Sequence, residues 1–170
     1  TNKAVDNAIA VDRKTVYIEK CTFKELKGAG DSSVTDSINK GGAIYLYCTS
    51  ASNLVCYIKS SKFENCQAQS GGAIYFKHAQ LSEGKLRFDV ENCEFNQNEA
   101  TDGGAIHFFA NLGIINSCTF MNNKGTNGAD IYYKPNGSQN PTADKNFSLS
   151  IESCNFKRTE QASSLVYIDS

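Results

Sequence analysis

The cysteines and histidines are the residues of this chain best suited to nucleophilic or metal chemistry, and their spacing argues against both. Seven cysteines fall at positions 21, 48, 56, 66, 93, 118 and 154, with no Cys-x-x-Cys pair, and the two histidines are His78 and His107. A structural zinc site needs closely spaced thiolates or imidazoles, so no metal site is expected. Cys21, Cys93, Cys118 and Cys154 each precede a phenylalanine by two residues. That regularity predicts a row of small, buried, free thiols, with Cys93–Cys118 or Cys118–Cys154 disulfides as the sharper alternative. Cys48 and Cys56 bracket a short polar loop and are the disulfide candidates if the compartment is oxidising. Asn136-Gly137-Ser138 and Asn146-Phe147-Ser148 are sequons, which makes Asn136 and Asn146 candidate glycosylation sites in a secreted chain.

Carboxylate chemistry finds no constellation either. Asp31, Asp36, Glu64, Asp89, Glu91, Asp102, Asp130 and Asp144 are scattered. No convergent acid/base pair, Ser/His/Asp order or phosphate loop stands out, so no catalytic residue and no cofactor is expected. Glu19, Lys59, Glu91, Asn116 and Glu152 recur at one phase and read as a solvated face. Seventeen basic residues nearly cancel eighteen acidic ones, which gives no electrostatic case for nucleic acid or an anionic membrane. No apolar run approaches the roughly 20 residues that cross a bilayer as a helix.

What positions these residues is a repeat. Gly41-Gly42-Ala43-Ile44-Tyr45-Leu46 recurs as Gly71-Gly72-Ala73-Ile74-Tyr75-Phe76 and as Gly103-Gly104-Ala105-Ile106-His107-Phe108. Weaker copies begin at Asn7, Gly128 and Ser163. Between them runs a second block: apolar, any, apolar, two polar, Cys, any, Phe. It ends on Phe23, Phe63, Phe95, Phe120 and Phe156, with Ser61 in the cysteine place of one copy. Each block is short, β-branched or aromatic, and alternates with period two, so it reads as a strand. The links show no helical period, and two-residue hairpin turns are missing. The 170 residues therefore predict one all-β domain spanning 1–170, a single-stranded parallel β-helix (a solenoid) of five to six coils.

In such a coil every repeat position becomes a column with a spacing of about 4.8 Å. Four apolar columns form the expected core. They are Ile9/Ile44/Ile74/Ile106/Ile131/Val166, Val11/Leu46/Phe76/Phe108/Tyr133/Ile168, Ile18/Ile58/Val90/Ile115/Ile151, and the five phenylalanines. Asn98 and Asn123, three residues after a phenylalanine, fit a turn column in the left-handed region with the amide bonded to the next copy, and Cys66 takes that place in another coil. Tyr45, Tyr75, His107, Tyr132 and Tyr167 lie between inward columns and are expected to face out. They form a stripe that could bind a glycan or a partner, or simply stabilise the sheet.

The alternation of Gly-Gly-Ala-Ile with Phe-x-x-Asn resembles the repeats of chlamydial polymorphic outer-membrane proteins and of pectin-lyase-like surface proteins of protists. The glycine block is clear at 41–44, 71–74 and 103–106, and Phe-x-x-Asn is strict at 95–98 and 120–123, whereas the outer coils carry Leu26 and Thr159 in the asparagine place. The resemblance implies that the β-helix is right-handed and that it is extracellular or displayed at the cell surface, with adhesive roles. Both end strands, with Ile9 and Val11 at one end and Val166 and Ile168 at the other, have the same repeat phase, which suits head-to-tail stacking of copies. The expected function is a non-catalytic structural protein that assembles end to end into a filament or coat, or is a module of a longer array. The alternatives are a monomeric adhesin or carbohydrate-binding module and a degenerate pectin-lyase-like enzyme.

Overall fold

Alternating segments of three to six residues, each ended by a residue that can turn the chain, wind into coils rather than fold back as hairpins. The computed structural model describes residues 9–11, 15–28, 39–48, 54–78, 86–135, 148–159, 161 and 164–169. The first coil contributes β1 (Ile9–Val11), β2 (Thr15–Glu19) and β3 (Thr22–Lys24). The second contributes β4 (Ile44–Cys48), β5 (Leu54–Lys59) and β6 (Lys62–Glu64), and the third β7 (Ile74–His78), β8 (Leu86–Glu91) and β9 (Glu94–Asn96). The fourth holds β10 (Ile106–Ala110), β11 (Leu112–Asn116) and β12 (Thr119–Met121). The fifth holds β13 (Ile131–Pro135), β14 (Ser148–Glu152) and β15 (Asn155–Lys157), and β16 (Val166–Ile168) begins a sixth. No helix occurs among the described residues.

Each strand pairs in parallel with its counterpart one coil away, which makes three sheets. Sheet A runs β1-β4-β7-β10-β13-β16, sheet B β2-β5-β8-β11-β14, and sheet C β3-β6-β9-β12-β15. This is a parallel β-helix, and its register is the one the repeats imply. Ile9 pairs with Ile44, Ile44 with Ile74, Ile74 with Ile106, Ile106 with Ile131 and Ile131 with Val166. Ile18, Ile58, Val90, Ile115 and Ile151 form one column in sheet B. The phenylalanines form the core of sheet C, with successive ring centroids 4.9–5.0 Å apart and interplanar angles of 5–8°, an offset stack that adds to their burial.

A fifth inward column is absent from the four expected. Val16, Cys56, Phe88, Gly113 and Leu149 are in register in sheet B. Phe88 packs between Phe76 and Phe108 at 5.1 and 5.0 Å. Gly113 makes room for this cluster, because a Cβ there would lie 2.7 Å from the Phe108 ring.

The corners between sheets B and C and after sheet C are as regular as the strands. Between sheets B and C one polar residue per coil takes a positive φ: Lys20, Ser60, Asn92, Ser117 and Ser153, at 49–54°. After sheet C the left-handed residue is Glu25, Asn65, Gln97 or Asn122. The turn residue therefore lies one place before Asn98 and Asn123, whose side chains are buried. This corrects the turn assignment but keeps the coil-to-coil amide bonds. In the glycine pairs the two residues do different work. Gly71 supplies a φ of +62°, while a Cβ on Gly72 would sit 2.1 Å from the Gly104 carbonyl oxygen of the next coil.

Phe95 is fully buried with a stacked ring on each side. Phe95→Ala is expected to cost about 3–5 kcal/mol, read as a lower urea midpoint at unchanged m-value.

Candidate functional site

Three groups of polar residues distinguish this solenoid from a plain apolar stack: the outer face of sheet A, an amide ladder inside the turn after sheet C, and the thiol column.

On sheet A the expected stripe is in register, Tyr45 with Tyr75, Tyr75 with His107, His107 with Tyr132 and Tyr132 with Tyr167. It points away from the core, yet most of it is not open to solvent. Tyr45, Tyr75 and His107 are buried, and only Tyr167, at 39%, is exposed. The column two residues on, together with Lys40, supplies the cover. Tyr47 stacks on Tyr45 at 6.0 Å, Phe109 meets both Tyr75 and His107, and Lys40 lies 5.1 Å over the Tyr75 ring. Lys134 and the Tyr132 hydroxyl converge on one Asp169 carboxylate oxygen at 2.6 and 2.8 Å. An outward strand position is thus closed by long neighbours, which corrects the expectation of an open aromatic stripe.

His107 is the outlier in that column. Both ring nitrogens are buried without a hydrogen-bond partner, between Tyr75 and Tyr132 with centroids at 5.0 and 4.3 Å. Burial, reinforced by Lys40, Lys77 and Lys134 and opposed by Asp169, pushes its pKa down to about 3, so the ring is neutral.

The amide ladder runs along the inside of the turn. Cys66 N–H donates to Asn98 Oδ1 and Asn98 N–H to Asn123 Oδ1, both at 2.9 Å. Asn98 Nδ2 reaches the Phe63 carbonyl and Asn123 Nδ2 the Phe95 carbonyl, each at 3.1 Å. Asn123 Nδ2 also donates to Asp130 Oδ1 at 2.9 Å. Asp130 occupies the place of Ala43, Ala73 and Ala105 in the glycine block. Burial raises its pKa against the opposing pull of Asn123 and Arg158. The Arg158 guanidinium closes the ladder by donating to Asp130 Oδ2 and, at 2.7 Å, to the Asn123 carbonyl. Outside this ladder lies a polar trough of about 560 Å³, lined by Gln67, Gln97, Glu99, Asn122, Lys124 and Arg158 among others. Neither the Asp130–Arg158 pair nor the trough is foreseen from the sequence. The signal was the break Gly-Ala-Asp-Ile at 128–131, where every other copy that opens on glycine has alanine before the isoleucine.

Cys21, Cys56, Cys66, Cys93, Cys118 and Cys154 are free thiols. Cys56 is fully exposed to the core in its column and fully hidden from solvent, with burial driving its pKa far up. The expected Cys48–Cys56 bridge is therefore not formed, because Cys56 faces the interior between Val16 and Phe88 rather than the loop. The side chain of Cys48 lies outside the described residues, as do Asn136 and Asn146 of the sequons, the side chains of Ile9 and Val11, and Asp31, Asp36 and Asp144. Val166 is half-buried and Ile168 is 55% exposed.

Four of the remaining acids each meet a lysine or an arginine. Glu91 meets Lys59 at 2.7 Å, Glu94 meets Lys62 at 3.3 Å, Glu64 meets Lys24 at 3.5 Å and Asp89 meets Arg87 at 2.7 Å. Among the described residues no group of three or more His, Cys, Asp or Glu is placed to hold a metal ion.

Fold and polar network together define a parallel β-helix solenoid whose polar groups are bonded from coil to coil. Residues 92–108, from the third B–C corner into β10, match the Chlamydia polymorphic membrane protein repeat, so the chain carries a β-helix repeat of that kind. Comparison with curated proteins and with solved structures gives no match.

Two outcomes follow. An unfolded chain takes up a proton at His107 below about pH 6.5 while the folded ring stays neutral down to about pH 3. Stability is therefore complete above pH 6.5 and falls by about 1.4 kcal/mol per pH unit below it. His107→Phe removes this slope between pH 6.5 and 5, as measured by urea unfolding at each pH. Arg158→Met strands the buried Asp130 carboxylate and costs about 3 kcal/mol. The double variant Asp130→Ala/Arg158→Met, which restores the column residue, recovers most of that loss.

Proposed function

We propose that this chain is a non-catalytic structural protein of the cell surface, lengthened by copies that stack end to end, coil on coil. The polymorphic-membrane-protein repeat supports the location. The separate pairing of Glu64, Asp89, Glu91 and Glu94 supports a structural rather than a catalytic role. The observation that carries the assembly reading is the constant register of the sheets: Ile9, Ile44, Ile74, Ile106, Ile131 and Val166 share one column, so a coil of this phase offers on its edge the pairing groups and apolar columns that another coil of the same phase completes.

Continuing sheets B and C into a second copy sets Ile151 against Ile18 and Phe156 against Phe23, and because sheet A already has a sixth strand, β16 takes the place of the second copy's β1 and sets Val166 against Ile44, so the apolar columns run on. Two charged columns do not. Glu152 meets Glu19 and Lys157 meets Lys24, and like charges directly opposite are unfavourable but screened by salt. A reading as a monomeric adhesin draws on the polar trough beside Arg158, with saturable glycan binding in place of a polymer.

Sedimentation velocity and negative-stain imaging across a salt series distinguish the two. The assembly reading expects elongation at high salt, elongation at lower salt for Glu152→Lys, and none for Ile168→Lys. A chain that stays a single particle about 30 Å long at every salt concentration, Glu152→Lys included, contradicts it.

A further inference from the structure

The thiol column has a geometry that the structural role does not use. Cys21, Cys93, Cys118 and Cys154 adopt one orientation, each Sγ donating to the carbonyl two residues before it at 3.3 Å. In the second coil Ser61 Oγ does the same at 2.8 Å. Cys93 and Cys118 belong to adjacent coils in register, since Glu94 pairs with Thr119 and Phe95 with Phe120. The Cys93 backbone N–H donates to Cys118 Sγ at 3.5 Å.

A second feature meets the first at the same corner. A cavity of about 260 Å³ opens between sheets B and C, lined by Ser60, Ser61, Lys62, Asn92, Cys93 and Ser117 among others. Cys93 lines it and Cys118 does not. Three of its lining residues, Ser60, Asn92 and Ser117, are the left-handed corner residues of adjacent coils, and a fourth, Ser61, stands where other coils have cysteine.

We propose that Cys93 and Cys118 form a reversible dithiol–disulfide clasp between the third and fourth coils, with Cys93 as the entry thiol and small organic disulfides as the oxidant. The Cys93 thiolate attacks one sulfur of the disulfide RSSR, forming Cys93–S–SR and releasing RS⁻. The Cys118 thiolate then attacks the Cys93 sulfur, closing Cys93–Cys118 and releasing the second RS⁻. Two protein thiols are oxidised, RSSR is reduced to two RSH, and the two thiol protons end on the leaving groups. The order of attack agrees with the electrostatics of the pair. The interaction with Cys118 lowers the Cys93 pKa, while the same interaction and burial raise that of Cys118, which stays a thiol until exchange begins. Column neighbours stand about 4.8 Å apart, inside the Cα separation that a disulfide bridges.

The test uses the folded full chain with hydroxyethyl disulfide as the probe, followed by alkylation of the remaining thiols and peptide mapping by mass spectrometry. The expected product is a Cys93–Cys118 linked peptide that returns to two alkylated cysteines on reduction. Cys118→Ser, or Cys118→Ala if the serine variant does not fold, should accumulate the mixed disulfide at Cys93. Cys93→Ser should lower modification at Cys118 by about tenfold or more. Three results overturn the proposal: no linked product in the folded chain, a product that forms only in urea, or Cys118–Cys154 forming ahead of Cys93–Cys118. None of them bears on whether copies stack end to end, which sedimentation reads independently.

Discussion

In a parallel stack that repeats at the strand spacing, a side chain has its own counterparts as its nearest neighbours. Each position must therefore tolerate a copy of itself, or a deliberate complement, about 4.8 Å above and below. Apolar groups satisfy this without cost, and flat rings gain from it, which is why five phenylalanines line sheet C with centroids 4.9–5.0 Å apart. Amides satisfy it by donating on one side and accepting on the other, as Asn98 and Asn123 do. Charges cannot repeat, so they alternate: Lys24 over Glu64, Lys62 over Glu94, Lys59 over Glu91. These exposed pairs contribute little energy individually, but they are lost when the register slips, so they help to specify it.

The departures from column identity show where the chain has been adjusted. Gly113 gives up a side chain so that Phe108 and Phe88 can fill the space. Asp130 enters an alanine column and is matched by Arg158, which stands after the fifth phenylalanine where other coils have a left-handed residue. Ser61 replaces a thiol and keeps its hydrogen bond. His107 alone is unmatched: it replaces tyrosine in a buried stack and leaves two ring nitrogens without partners. Three of the four substitutions are thus compensated by a neighbour, and the fourth makes stability depend on pH.

How much of this can be read from the sequence depends on whether a feature belongs to one column or to the relation between two. The apolar columns and their register are legible because Ile44, Ile74 and Ile106 each follow the same glycine pair, and the pairing reproduces that phase. The burial of Tyr75 is not legible, because it depends on Lys40 and on Phe109 in a chemically mixed column two residues on. The column of Val16, Cys56, Phe88, Gly113 and Leu149 escapes notice for the same reason, since no residue type recurs in it. Placing Asn98 inside the turn requires knowing that Gln97 takes the left-handed conformation, a shift of one residue that composition cannot reveal. Cys48 and Cys56 look like a loop clasp only while Cys56 is not seen as a strand residue facing the core.

The account stands on in-register parallel stacking, and backbone NMR tests that most directly. The predicted result is a set of interstrand amide and Cα-proton contacts linking Ile74 to Ile106 and Phe95 to Phe120, each one coil apart in sequence, with the same pattern along all three sheets. Close Cα-proton pairs between sequence-adjacent strands such as β11 and β12, the mark of antiparallel hairpins, or contacts displaced by two residues, would contradict it.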